Sequence, residues 1–214
     1  LMIGFQRRFD PDFLALKRAI DEGRIGKIEM MTLISRDPAP PPYEYIERSG
    51  GIFRDMTIHD IDVARWILDE EVIKVQAAAS VLTDPKIGQL GDYDSANLIL
   101  TTTNGKQCTI TNSRRATYGY DQRIEVHGSL GLVAAQNQKE AFIEVADSKG
   151  FHKPVLKNFF MSRYFEAYKN EIHAFINALL EGEPMPTTGE DGLRALEIAE
   201  AAMISVQTGK AVEC

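Results

Sequence analysis

The hydrophobic pattern changes period three times along the chain. In residues 11–22 Phe13, Leu16 and Ile20 recur at helical spacing, with Leu14 beside them. Asp10 is a suitable N-cap, Pro11 suits the first helical position, and Gly23 and Gly26 end the run. Residues 27–35 read as a strand. Pro38, Pro40, Pro41 and Pro42 then forbid regular structure; four prolines inside a globular pattern read as a rigid connection before they read as a ligand for an SH3-type partner. Gly50-Gly51 opens a second helix over about 54–68, with Met56, Ile61, Ala64 and Leu68 on one face.

From Val72 the period shortens to that of strands. Residues 72–82, 95–103, 107–111, 124–126, 132–134 and 142–145 are expected as strands, and Asn104-Gly105 marks a tight hairpin. From Phe160 the period lengthens again. One helix is expected over 160–181, with Tyr164, Tyr168, Ile172, Phe175, Ile176 and Leu179 as its stripe. Another is expected over 191–208, with Leu193, Leu196, Ala199 and Met203, ending at Gly209. The pattern predicts an α+β fold: an open, largely antiparallel sheet with helices on one face.

Composition narrows the class. Of 214 residues 44% are hydrophobic and 26% charged, which suits a folded domain large enough to stand without disulfide or metal staples. No apolar run reaches 18 residues, so no membrane span is expected. A net charge of −7 and a pI of about 5.2 exclude the positive field that nucleic acid or an anionic membrane would need. Two cysteines, Cys108 and Cys214, suggest a reduced, cytoplasmic protein. Residues 1–5 carry neither a charged leader nor a cleavage site; they read as the tail of a strand.

The candidate chemistry lies in Asp55-x3-His59-x2-Asp62. On a helix Asp55 and His59 stand at i and i+4 and share a face, with Asp62 near it. A carboxylate beside an imidazole raises its basicity and selects its tautomer, which suits proton transfer. The plainer alternative is a surface helix with a satisfied histidine. Two ligands on one turn fall short of a metal site, and His127, His152 and His173 have no companion at ligand spacing, so no metal is expected. No dinucleotide or phosphate motif is present. Tyr118-Gly119-Tyr120 between strands either places a phenol in a pocket or forms a plain turn.

These stretches resemble the glucose–fructose oxidoreductase/inositol dehydrogenase (Gfo/Idh/MocA) family. Ile3-Gly4-Phe5-x-Arg7-Arg8-Phe9-Asp10 is similar to its domain junction, and Gly50-Gly51-Ile52-Phe53-Arg54-Asp55-x3-His59-Asp60-Ile61-Asp62-x3-Trp66 to its catalytic helix. Tyr164-x3-Tyr168-x2-Glu171-x3-Phe175, Gly189-x-Asp191-Gly192 and Ser205-x2-Thr208-Gly209-Lys210 resemble its C-terminal helices. The 35–41 loop and Tyr118-Gly119-Tyr120-Asp121 are most similar to its inositol 2-dehydrogenases. The resemblance covers essentially the whole chain. It implies that residues 1–9 are the remnant of the last strand of a Rossmann domain and its junction. Residues 10–214 would then be the dihydrodipicolinate-reductase-like substrate-binding and oligomerisation domain.

The resemblance further implies an enzyme that oxidises a cyclic polyol hydroxyl to a ketone with NAD or NADP. His59 would take the hydroxyl proton, Asp55 would orient the substrate, and Asp37, Tyr118 and Tyr120 would bind it. Some relatives have Asn where this chain has Asp37, and a carboxylate can accept but not donate. The nucleotide domain, about 120 residues for several βαβ units, would lie before Leu1. No cofactor is therefore expected on these residues, and the isolated chain should be inactive. Phe151-His152-Lys153-Pro154 is too far along the chain to stand for the family's Glu-Lys-Pro lysine. The alternatives are another sugar or polyol oxidoreductase, or a non-catalytic binding module. The resemblance implies a homodimer or homotetramer through the open sheet face, expected to carry Val75, Ala77, Leu98, Leu100 and Ile110 or their alternates. Residues 1–5 should be frayed or paired adventitiously.

Overall fold

The computed structural model describes residues 1–214. After a 3-10 turn at Gln6–Phe9, α1 (Pro11–Asp21) begins under the Asp10 carboxylate, which accepts from the Asp12 and Phe13 N–H groups. β1 (Ile28–Arg36) follows, then α2 (Tyr43–Ser49), a one-turn π segment (Phe53–Thr57) and α3 (Ile58–Leu68). β2 (Val72–Ser80), the short α4 (Pro85–Gln89), β3 (Ser95–Thr102), β4 (Gln107–Ser113), β5 (Asp121–Gly128) and β6 (Gly131–Ala135) complete the strand-rich middle. A small hairpin, β7 (Val145–Asp147) and β8 (Gly150–His152), precedes α5 (Phe160–Arg163), α6 (Phe165–Glu181), α7 (Gly189–Thr208) and β9 (Val212–Glu213).

Seven strands form one sheet in the order β6-β5-β1-β4-β3-β2-β9. Every neighbouring pair is antiparallel except β1 and β4, which run parallel with Arg36 opposite Ser113. Helices cover one face only. α3 and α7 pack there on Leu33, Val75, Ala77, Leu98, Leu100, Cys108 and Ile110, and Phe13 of α1 extends the same core. The largely antiparallel α+β sheet with one covered face is thus the observed architecture.

The register corrects the expected composition of the open face. Val75, Ala77, Leu98, Leu100 and Ile110 all turn inward and are buried. The open face instead carries Gln76, Asn97, Thr109 and Glu125, with Met30, Ile99 and Leu132 as exposed apolar residues. One residue of register decides this, because side chains alternate along a strand.

Two further expectations shift. The 160–181 helix is broken at Tyr164 into α5 and α6. Phe142 and Ile143 lie outside the strand expected there, which begins at Val145. Of the two outcomes expected for residues 1–5, pairing is the one observed: Ile3 N–H donates to the Thr187 carbonyl at 3.0 Å, and the Thr187 hydroxyl donates to the Ile3 carbonyl at 2.6 Å. No helix is long and apolar enough to cross a membrane.

Candidate functional site

The parallel pair places two chain exits side by side. Asp37 follows β1 and Arg114 follows β4, and the Asp37 N–H donates to the Ser113 carbonyl at 2.9 Å. The prolines after Asp37 lead into α2 and bring Tyr45 over the same end of the sheet. The Gly50-Gly51 turn, both residues at positive φ, then swings the chain into the π turn and α3. At its start the Ile52 N–H donates to Asp92 Oδ1 at 2.8 Å. The expected helix of 54–68 is therefore present, with its first turn widened to π spacing; such turns recur at functional sites.

Asp55 stands in that π turn, and both of its oxygens are engaged. Oδ1 accepts from the Tyr45 hydroxyl at 2.6 Å, and Oδ2 accepts from Arg114 at 3.1 Å. The Asp55 bond pushes the Tyr45 phenol up to about 12, so it stays a donor. Neither Tyr45 nor Arg114 was marked by motif or spacing.

His59 sits one turn on. Its ring meets the edge of Phe5 at 5.8 Å, and its Nδ1 is enclosed without a partner. Burial pushes the imidazole down to about 3, and the positive charge of Arg7 adds to the effect. The expected carboxylate beside the imidazole is not there. Asp55 is committed to Tyr45 and Arg114, and Asp62 is taken by Arg8 at 2.6–3.1 Å.

Asp37 lies within the same electrostatic neighbourhood. Burial raises its carboxyl to about 6, against the pull of Arg114 and Arg7, while Asp55 and Asp60 add to the rise. Tyr120 is buried, with its ring edge-on to Tyr164 at 6.1 Å; burial drives its phenol well above the ordinary range. Tyr118 is not brought to this group. It lies half exposed with Arg36 and Asp121, donating to Asp121 at 2.6 Å. Arg36 and Asp121 alternate with the inward residues Ser35 and Gln122, which is why the two tyrosines of one turn part company.

A buried polar floor supports the site. Arg7 pairs with Asp60, which also accepts from Asn112 at 2.8 Å, and Asn112 accepts from Thr57 at 2.7 Å. Arg7 further reaches Ser35, whose hydroxyl and that of Tyr164 both donate to Gln122. A cleft of about 450 Å³ lies elsewhere, among Arg8, Arg65, Trp66 and Asp191. No three His, Cys, Asp or Glu side chains converge as metal ligands.

The chemistry of the group is that of acceptors for neutral hydroxyls. Four aspartates (Asp37, Asp55, Asp60, Asp92) face two arginines (Arg7, Arg114), so the field opposes an anionic ligand. The imidazole is neutral over the ordinary pH range and can take a proton.

The GFO/IDH/MocA C-terminal domain family model matches residues 13–134. An inositol 2-dehydrogenase of Rhizobium meliloti (strain 1021) is 60% identical over 206 residues, 96% of this chain and 62% of that protein. A crystal structure of a myo-inositol dehydrogenase from Corynebacterium glutamicum ATCC 13032 superposes with a TM-score of 0.96 at 41% identity, covering 99% of this chain and 64% of that one. A scyllo-inositol dehydrogenase from Lactobacillus casei, solved with bound NAD(H) and scyllo-inositol, superposes with a TM-score of 0.90 at 30% identity, covering 98% and 63%. The chain thus spans less than two thirds of the length of these relatives.

Proposed function

Because the chain belongs to the GFO/IDH/MocA family, we propose that it is the substrate-holding C-terminal part of an NAD-dependent inositol 2-dehydrogenase. The observation that carries the reading is the acceptor group at the start of α3. Asp55 and His59 lie on one helical segment, with Asp37 beside them and no cation left over to hold an anion. An inositol is a ring of neutral hydroxyl donors, and such a group matches it.

His59 takes the hydroxyl proton. Nε2 is the nitrogen that stays accessible, so the working tautomer carries its proton on the enclosed Nδ1. A strong base is not required. The hydroxyl becomes sharply acidic only as its carbon turns into a carbonyl, and a neutral imidazole suffices at that moment. Asp55 accepts from a ring hydroxyl and sets the orientation, and Asp37 supplies a second acceptor. Tyr120 bounds the site from the sheet side.

NAD, when bound, receives the hydride from the carbinol carbon. The residues present do not build a dinucleotide cradle. The sole parallel pair, β1 and β4, is separated by helices and two strands, and no glycine-rich turn joins a strand to a helix there. The cofactor would be held by sequence that the relatives carry beyond the matched region, and no step is derived through it. The same reading makes the protein cytoplasmic, in keeping with its unpaired cysteines. It also makes the protein a homodimer or homotetramer through the open sheet face, which the exposed Met30, Ile99 and Leu132 favour.

The full-length protein assayed with NAD against inositol stereoisomers and aldoses tests the substrate class. His59→Ala should lower turnover about 10²–10⁴-fold, the usual worth of a general base. Unchanged turnover would remove His59 from the mechanism.

A further inference from the structure

Arg114 is the least expected member of the site. Its side chain is 1% exposed, against 16% for its partner Asp55. One terminal nitrogen donates to Asp55 Oδ2 at 3.1 Å and the other to Asp92 Oδ2 at 3.3 Å. Its Nε is enclosed without an acceptor.

We propose that Arg114 is the positioning residue for Asp55: its fork ties the Asp55 carboxylate to Asp92, and through Asp92 to the backbone at Ile52. This rests on the functional reading above and adds to it. Asp92 is itself anchored, because its Oδ1 accepts the Ile52 N–H at 2.8 Å. The Gly50-Gly51 turn keeps that contact open: a Cβ on Gly51 would stand 2.9 Å from Asp92 Oδ1. The motif's glycines, Asp92 and Arg114 are therefore one device that aims Asp55. Tyr45 holds the other oxygen. A carboxylate offers about four lone-pair sites. With one per oxygen spent, one remains on each, a spacing that suits two neighbouring ring hydroxyls. A lysine at 114 would keep the charge but has one nitrogen, and cannot span two carboxylates as a planar fork does.

The test uses the full-length protein and four forms: parent, Arg114→Lys, Asp55→Asn, and the double variant. Polyol and NAD kinetics are measured with polyol binding by calorimetry and with melting temperatures. For Arg114→Lys the polyol KM and dissociation constant should rise about tenfold while turnover falls up to about 10²-fold, the scale of a misplaced binding group. The NAD KM should stay within about twofold. A merely structural role would lower turnover through lost active protein and leave the polyol KM unmoved. The double variant should lose no more than Asp55→Asn alone, because Arg114 acts through Asp55. Unchanged polyol affinity in Arg114→Lys, or additive losses in the double variant, would overturn the proposal. Should Arg114→Lys not fold, Tyr45→Phe, which frees the other Asp55 oxygen, must show the same selective rise in polyol KM, and its absence also overturns the proposal. A parent protein that oxidises no polyol would instead overturn the functional reading, and this inference with it.

Discussion

At the scale of single residues, His59 behaves unlike an isolated imidazole. Its ordinary value is 6.5, and burial with the nearby Arg7 pushes it down to about 3. The folded chain therefore binds fewer protons than the unfolded chain between these two values. His59 contributes stability that is present above pH 6.5 and is lost as pH falls toward about 3. Asp37, raised to about 6, works with the opposite sign and offsets part of that loss as its carboxyl protonates in the folded state. The cleaner observable is the ring itself. The NMR signals of His59 should not titrate between pH 5 and pH 8, and a midpoint near 6.5 would show that the ring is not enclosed as described. That Asp55 and His59 stand on one helical segment was legible because i, i+4 spacing is local. Arg114 and Tyr45 were not: each reaches Asp55 across a tertiary contact that no spacing encodes. Tyr118 and Tyr120 mark the same boundary. They are two apart around a glycine, and only the strand register at Gln122 tells which one faces the helices.

At the scale of elements, local signals served well and non-local pairings did not. The α1 cap and most strands follow from period and punctuation, whereas α7 begins at Gly189, before the expected Asp191, because Thr188 and Asp191 cap each other there. The parallel β1–β4 pairing was hidden, because consecutive strands read as an antiparallel meander. Yet that pairing is what sets Asp37 beside Arg114. The π turn was hidden as well, since one extra residue in a turn leaves the apolar period almost intact. The prolines conceal α2, which begins directly after Pro42. The start of the site helix yields a sharp expectation. Gly51 and Gly91 both have positive φ, at 88° and 79°, but a Cβ on Gly91 meets nothing within 4 Å. Gly91→Ala should cost about 1–2 kcal/mol, the left-handed strain alone. Gly51→Ala should cost about 1 kcal/mol more, because it also displaces Asp92 from the Ile52 N–H and loses a hydrogen bond. Urea titration of the two variants reads the difference. Equal losses would mean that the Asp92 contact does not hold the helix start.

At the scale of the whole molecule, the question is what lies against the uncovered surfaces. The open sheet face is polar at most positions, so burial of oil-like surface does not by itself drive its association. Its threonines and asparagine present short side chains that pack flat, and Met30, Ile99 and Leu132 are each about half exposed on it. Two such faces brought together by a two-fold axis would bury all three residues twice over, an isologous contact of the kind that closes without propagating. The segment beyond β6 reinforces the expectation, since Phe142, before the hairpin, and Phe151, within it, are 92% and 77% exposed. A second surface competes. The outer stripe of α6, with Ile172, Ile176 and Leu180, is also exposed. The two are separable by mutation, because they lie on different elements. Sedimentation velocity at micromolar concentration should return a species heavier than the 23.9 kDa chain. Met30→Glu with Ile99→Glu places like charges face to face across the two-fold and should return a monomer of unchanged circular dichroism. Ile172→Glu with Ile176→Glu should leave the assembly intact. If the α6 pair dissociates the assembly and the sheet pair does not, the self-association belongs to the helix. The sheet face would then have no part in it, and its polar composition would be that of a surface meant for water.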